Sequence, residues 1–300
     1  MVENREKGRR LRVQNTISKL PLFLGKILLI LWCTFTVAMF AWMFIASVSS
    51  TRDIFSGTLL ASGLSFKGYQ DVIVKQKILS YFLNSLVYSV LGCVGAIVIA
   101  AQGAYAFTKF QFRGKKVLLV CLQIAMGLPG VMLLAPIFMG ITKFNTLVKD
   151  ATGFNLKGTP VFIVAIYVLS ITIYTFFYLQ GFLSTISNSY HESALVEGCT
   201  HIQAFWKVVF PLARPGIITV TIFNFISLWN EYLWALVLLT DPKQRTIATA
   251  MQSIVRSYTN AGNYSGIFAT VIVVFVPTFI LFVALSRFIM GDVAAGGIKE

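Results

Sequence analysis

The stretch Ser189-Tyr190-His191-Glu192-Ser193-Ala194-Leu195-Val196-Glu197-Gly198-Cys199-Thr200-His201-Ile202-Gln203-Ala204-Phe205-Trp206-Lys207-Val208-Val209-Phe210-Pro211-Leu212-Ala213-Arg214-Pro215 decides how this chain is read. It lies between two long apolar runs, yet Glu192, Glu197, Thr200, His201, Gln203 and Lys207 make it too polar to cross a bilayer. Ala194, Leu195, Gly198, Ile202, Phe205 and Val209 recur at steps of three and four, the period of an amphipathic helix. Ser189 followed three residues on by Glu192 predicts a capping box and a helix start. Gly198 interrupts the pattern midway and Pro211 ends it, which predicts two short helices with a bend. A helical hairpin on one face of a membrane protein is available to a soluble partner.

The composition supports a membrane setting. Of 300 residues, 57 % are hydrophobic and only 12 % are charged, far from a soluble globular balance. The formal net charge of +14 could suggest nucleic acid. The charges sit in short tracts between apolar runs, however, and no RNA- or DNA-binding motif accompanies them, so the reading carries no nucleic-acid partner. Cys33, Cys93, Cys121 and Cys199 have no metal spacing, and the first three lie in apolar runs as small packed hydrophobes. His191 and His201 have no Cys partner in a ligand pattern, so no metal site is expected.

Outward from the quoted stretch, six apolar runs are expected to span: 27–48, 82–107, 117–141, 160–180, 216–240 and 267–288. Each is long enough for a hydrocarbon core of about 30 Å at about 1.5 Å per residue. The basic segment 1–26 and the first run imitate a signal peptide, but the run exceeds the ~7–15 residues of a signal core and reads as an uncleaved span. This divides the chain into a basic N-terminal segment (1–26), a six-helix membrane domain (27–290) containing the loop 186–212, and a tail (291–300). Fifteen of the 25 Lys and Arg then fall on the side of the termini and the quoted stretch, and ten on the other. The positive-inside rule makes that first side cytoplasmic.

The spans are not uniform. Gly92, Ala96, Ala100 and Ala104 form a small-residue stripe for close helix approach. Gly127-Leu128-Pro129-Gly130 and Ala135-Pro136 interrupt span three, and Pro277 sits in span six. Each interruption is either a packing kink or part of a moving gate. Span five holds Trp229-Asn230-Glu231, and Glu231 is the only acid in any of the six runs. It stands about 22 Å along the helix from Gly216, toward the outer part of the bilayer. Asn224, Ser227, Glu231 and Trp234 share a helical face by spacing. That face lines a substrate path, with Asn230 beside it, or forms structural hydrogen bonds to a neighbour.

The order Glu192-Ser193-Ala194, Glu197-Gly198-Cys199, Phe205, Val208 and Phe210-Pro211 resembles the EAA loop of importer-type ABC transporter permeases. Ser193, Cys199 and Phe210 replace the family's Ala, Ala and Leu, changes that keep size and polarity. Phe82-Leu83-Asn84-Ser85-Leu86 resembles the start of span two in carbohydrate permeases. Phe225 to Leu239, with its Trp-Asn-Glu, resembles their span five. The tail from Gly291, ending Ala-Gly-Gly-Ile-Lys, resembles that of the MalG-like subfamily.

The resemblance implies an all-α, polytopic permease subunit of an ATP-driven importer in a bacterial inner membrane, with sugars or oligosaccharides as the substrate class. It implies a second, MalF-like permease subunit, an ABC ATPase dimer and an extracytoplasmic solute-binding protein, besides membrane lipid. Glu192, Ser193, Ala194, Glu197, Gly198, Phe205 and Pro211 would couple to the ATPase, and Gly296, Gly297 and Ile298 would reach into it. Glu192 leads that set, as docking group, capping acid or both.

The chain lacks a Gly-x-x-x-x-Gly-Lys-Ser/Thr phosphate loop, and Arg113-Gly114-Lys115-Lys116 lacks the upstream Gly and the hydroxyl. It is therefore expected to be non-catalytic and to bind no cofactor, with ATP and Mg used by the partner ATPase. A permease of the same type for a glycerophosphodiester or peptide is the alternative. An ion-driven secondary transporter would need more midplane ionisable groups than one off-centre acid, and a structural scaffold leaves the broken spans unexplained.

Overall fold

The computed structural model describes residues 2–156 and 158–296, and side chains for 23–156 and 158–284. In order these residues form α1 (Val2–Ser47), α2 (Thr51–Ser56), α3 (Lys67–Gln70) running into a π turn (Asp71–Lys75), α4 (Ile78–Lys109), α5 (Lys115–Met126) and α6 (Gly130–Thr152). Then come α7 (Pro160–Ser184), α8 (Asn188–Val196), α9 (His201–Ala204), a π stretch (Phe205–Val209), α10 (Phe210–Leu212), α11 (Arg214–Trp229) and α12 (Leu233–Leu238). A 3-10 turn (Pro242–Gln244), α13 (Ile247–Asn260) and α14 (Tyr264–Gly296) complete the order. No strand occurs among the described residues.

Five helical stretches are long and apolar enough to cross a membrane: 23–47, 78–109, 130–152, 160–184 and 264–284. A sixth passes only as a bent pair, 201–212 with 214–229, at an angle of 75°. Two expected spans therefore differ in detail. Span three, read as 117–141, is broken into α5 and α6 at Gly127–Pro129, where the Gly-Leu-Pro-Gly run was expected to interrupt it, but the long apolar helix is 130–152. Span five, read as one helix over 216–240, stops at Trp229 and resumes at Leu233. Hydropathy reports preference for lipid, not continuity of helix, so neither break shows in it. Pro136 and Pro277, by contrast, lie inside α6 and α14.

The chain forms two units, residues 1–71 with 258–272 and residues 72–257 with 273–300. In the first, the described side chains of α1 are largely exposed up to Ile45, as expected of a helix facing lipid. Beyond its end, Asp53 organises the loop: its carboxylate accepts from Ser62 N (2.9 Å) and Ser62 Oγ (2.8 Å). These bonds to Ser62 hold its carboxyl below the ordinary carboxylate range. Gly68 sits so close to α14 that a Cβ there would be 3.0 Å from the Ser265 carbonyl oxygen.

In the second unit, α4 and α7 pair along their length, with α11 against both. Lipid-facing helices have little water to expel from between them, so close packing decides which faces meet. The small-residue stripe of α4 supplies that face. Gly92, Ala96, Ala100 and Ala104 are all buried, and a Cβ at Gly92 would stand 2.7 Å from Leu228 Cδ1. One apolar cluster joins Tyr88, Ala96, Ile163, Tyr167 and Leu228. A second joins Ala104, Tyr105, Phe176, Leu179, Phe205 and Val209, and so reaches from the membrane helices into the hairpin. The segment after span five contains α13, which the apolar pattern alone did not predict. Its Ile247, Ala250, Ile254 and Tyr258 are buried at three- and four-residue steps, while Gln252, Ser253 and Arg256 are exposed.

Candidate functional site

The hairpin comprises α8, a bend, α9, the π stretch and α10. The expected capping box at Ser189 and Glu192 is not the one formed. Ser187 is the N-cap of α8, its side chain accepting from Ser189 N at 3.3 Å, and Glu192 stands exposed one turn further on. The capping box lies after the bend instead: Thr200 Oγ1 accepts from Gln203 N (3.3 Å) and Gln203 Oε1 accepts from Thr200 N (2.9 Å). Between the two helices Gly198 has φ +87°, a conformation open to glycine at little cost.

The bend resets the helical phase. Ala194, Phe205 and Val209 are buried as their spacing predicted, but Ile202 is 72 % exposed. Val196 at 88 % and Trp206 at 42 % also stand in the open, as do Glu192, Ser193, Glu197 and Gly198. Pro211 lies in α10, one residue before the helix gives way at Leu212, and Pro215 opens α11.

The base of the hairpin is fastened to the end of α4. Tyr105 Oη is 3.0 Å from His191 Nδ1 and donates to the His201 carbonyl at 3.1 Å. Lys109 Nζ donates to Ile186 O (3.0 Å) and Asn188 Oδ1 (2.7 Å). The two histidine rings stack at 5.5 Å, with Phe110 edge-on to both. His191 is buried, and burial first, then the charges of His201 and Lys109, lower its pKa against a smaller opposing effect of Glu192. These residues were missed in the sequence. The available signal was that the only two histidines flank the Gly198 bend.

The span-five residues divide. Asn224 is buried and donates to Thr175 Oγ1 on α7 at 2.8 Å. Asn230 is exposed and closes α11 by donating to the Ile226 carbonyl at 2.8 Å. Glu231 sits in the break: its oxygens accept from Trp234 N (2.7 Å), Ala235 N (3.1 Å) and the Tyr167 hydroxyl (3.1 Å). Its carboxylate thus satisfies the free N–H groups that begin α12. Ser227, Glu231 and Trp234 line a cleft of about 270 Å³ together with Gly130 and Ser170. An adjoining cleft of about 260 Å³, at the α5–α6 break, shares Gly130, Ser170 and Trp234. The two broken spans therefore open onto common ground.

The Asn-Ser motif of α4 acts as a clamp. Asn84 Nδ2 donates to the carbonyls of Lys243 (2.8 Å) and Arg245 (3.1 Å), and Ser85 Oγ accepts from Ile247 N at 2.8 Å. Of the tail residues, Gly296 is the last of α14, and Gly297 and Ile298 lie outside the described residues.

Residues 92–290 match the family described as binding-protein-dependent transport system inner membrane component. The chain is 28 % identical over 270 residues to the diacetylchitobiose uptake system permease protein NgcG of Streptomyces coelicolor, covering 90 % of this chain and 86 % of that one. It is 28 % identical over 258 residues to the trehalose transport system permease protein SugB of Mycobacterium tuberculosis, covering 86 % and 90 %. A chain from the crystal structure of a bacterial ABC transporter involved in the import of the acidic polysaccharide alginate has the same fold. Its TM-score is 0.75 over 88 % of this chain and 95 % of that one, at 22 % identity. With the match extending from span two to the tail, over spans that are themselves helical and apolar, the chain belongs to the family of inner-membrane components of binding-protein-dependent transport systems.

Proposed function

We propose that this chain is a permease subunit of an ATP-driven importer for a sugar or oligosaccharide, and that the hairpin 186–212 couples it to a separate ATPase. The observation that carries the coupling is the exposure of the large apolar side chains Val196, Ile202 and Trp206 on either side of the Gly198 bend, outside the five continuous spans. Large apolar groups standing exposed among carboxylates mark a docking surface. Sugars are favoured as cargo by the relatives, whose names specify diacetylchitobiose and trehalose. In this reading the chain is non-catalytic, and ATP and Mg belong to the partner ATPase. A second permease and an outer binding protein complete the transporter, and both termini and the hairpin are cytoplasmic. Ser227, Glu231 and Trp234 border the substrate path.

Two measurements test it. A Cβ at Gly198 meets nothing within 4 Å in this chain, so Gly198→Ala introduces no clash of its own. Gly198→Ala and Gly198→Leu share the left-handed strain, about 1–3 kcal/mol, but differ in bulk. Both should reach the membrane, and only Gly198→Leu should lose the ATPase on purification. Glu192→Gln should keep weak binding with reduced transport, because a charge-assisted bond to the partner is weakened. Wild-type ATPase recovery and uptake in both Gly198→Leu and Glu192→Gln would remove the coupling role. For the cargo, the purified binding protein should gain thermal stability with saccharides such as diacetylchitobiose or trehalose. Stabilisation by peptides and by no saccharide would overturn the sugar assignment.

A further inference from the structure

The hairpin is joined covalently to α7 at one end and to α11 at the other, whereas its connection to α4 is made entirely by side chains. We propose that Tyr105 is the positioning residue of that third connection, the joint that makes α4 follow the hairpin when the ATPase moves it. The proposal rests on the coupling role of the hairpin.

One phenol oxygen holds both halves of the hairpin. It meets His191 of α8 at 3.0 Å and the His201 carbonyl at the start of α9 at 3.1 Å. Its ring lies 4.9 Å from that of Phe205, in the π stretch beyond. A single side chain of α4 therefore grips three successive segments of the hairpin across its bend. Tyr105 also continues the buried stripe of α4, in one cluster with Ala100, Ala101, Ala104 and Phe176. At the tip, by contrast, Gly198 is exposed with open space around it. Displacement of the tip can reach α4 directly only through the base.

Proton counting fixes how the joint is made. A phenol has one proton, and a carbonyl can only accept. Since Tyr105 donates to the His201 carbonyl, it must accept from His191, which therefore carries its proton on Nδ1. The joint accordingly tolerates any side chain that places an N–H where Nδ1 stands. Asparagine does so, and alanine does not.

The test uses the complete transporter, with both permeases, ATPase and binding protein, in proteoliposomes. Cys33, Cys93, Cys121 and Cys199 are replaced by alanine, and Ser227→Cys places a thiol in the cleft at the span-five break. The readout is the rate at which a membrane-impermeant maleimide labels that thiol, with and without ATP plus vanadate, beside ATPase recovery and ATP hydrolysis. In the parent, trapping should change the labelling rate severalfold. Tyr105→Phe keeps the ring and loses both hydrogen bonds. It should retain ATPase recovery and hydrolysis while the labelling change falls toward onefold. His191→Ala should behave likewise, and His191→Asn should restore the parent response. A full labelling change in Tyr105→Phe would overturn the proposal and leave the coupling role of the hairpin standing. Loss of recovery, hydrolysis and labelling in parallel, with no rescue by His191→Asn, would reduce Tyr105 to a packing role and also overturn it. If the parent recovers no ATPase, or its labelling ignores trapping, the coupling reading falls and takes this joint with it.

Discussion

Glu231→Gln separates two accounts of the acid in span five. The carboxylate accepts three hydrogen bonds, from Trp234 N, Ala235 N and the Tyr167 hydroxyl. Glutamine has one acceptor oxygen, so whichever way the amide is turned, its NH2 faces a backbone N–H. The Tyr167 hydroxyl can rotate to accept from it, but the backbone donor cannot. One charge-assisted bond is lost and one donor is left without an acceptor, a cost of about 2 kcal/mol. Glu231→Ala strands both backbone donors and the phenol, for roughly twice that. Melting of the purified transporter should therefore fall in the order wild type, Gln, Ala, with yields in the same order. Uptake should decline only in proportion to assembled complex. If Glu231→Gln melts and assembles as wild type while uptake rate or substrate preference changes, the carboxylate serves the substrate and not the helix start, and this reasoning is refuted.

Three further outcomes are expected. Asn84→Ala should destabilise the transporter by about 2 kcal/mol, because two loop carbonyls lose their donor. Unchanged melting and unchanged proteolysis near Lys243 would show that the clamp contributes nothing. Cysteine at Lys149 should react with an impermeant reagent from outside and cysteine at Lys115 should not; the reverse pattern would invert the topology. His191 is held below its ordinary pKa of 6.5, so its neutral form is the one the fold accommodates. Above 6.5 it imposes no penalty. As pH falls through 6.5 toward the lower folded value, the unfolded chain binds the proton first and stability is lost. The melting temperature should therefore drop as pH falls below the ordinary value of 6.5, and drop less in His191→Asn. An identical pH response in both would dismiss His191 as the source.

The reach of each interaction decides whether it is legible in the sequence. The hairpin was legible because glycine, proline and carboxylates act within a few residues, and the left-handed Gly198 is where the period breaks. The phase after the bend was not. Ile202 was placed inside because a single helical period was carried through Gly198, which rotates α9 relative to α8. The anchors Tyr105, Lys109 and His191 were hidden because Tyr105 and His191 are 86 positions apart. The break at Asn230–Tyr232 leaves no trace in hydropathy, since Trp229, Leu233 and Trp234 keep the window apolar. A local sign was present nonetheless: an acid three residues before an apolar run can cap it, and Glu231 precedes Trp234 by three. The Asn-Ser motif was recognisable as a pattern, but its purpose, holding the turn before α13, required the fold.

The 75° corner between residues 201–212 and 214–229 makes this part of the chain a bell crank. Its short arm, the outer limb of the hairpin, is about 18 Å long, and its long arm, α11, is about 24 Å. If the two arms turn together, a push of about 2 Å at the tip of the first rotates both by about 6° and carries the far end of α11 by about 2.7 Å. The pivot rests on Gly216, where a Cβ would stand 2.6 Å from the Phe182 ring. A bare backbone against an aromatic face is a bearing with no tooth to catch on. A side chain there would meet Phe182 at the corner, and if the hairpin is driven as proposed, the Glu231 break stands at the far end of the long arm.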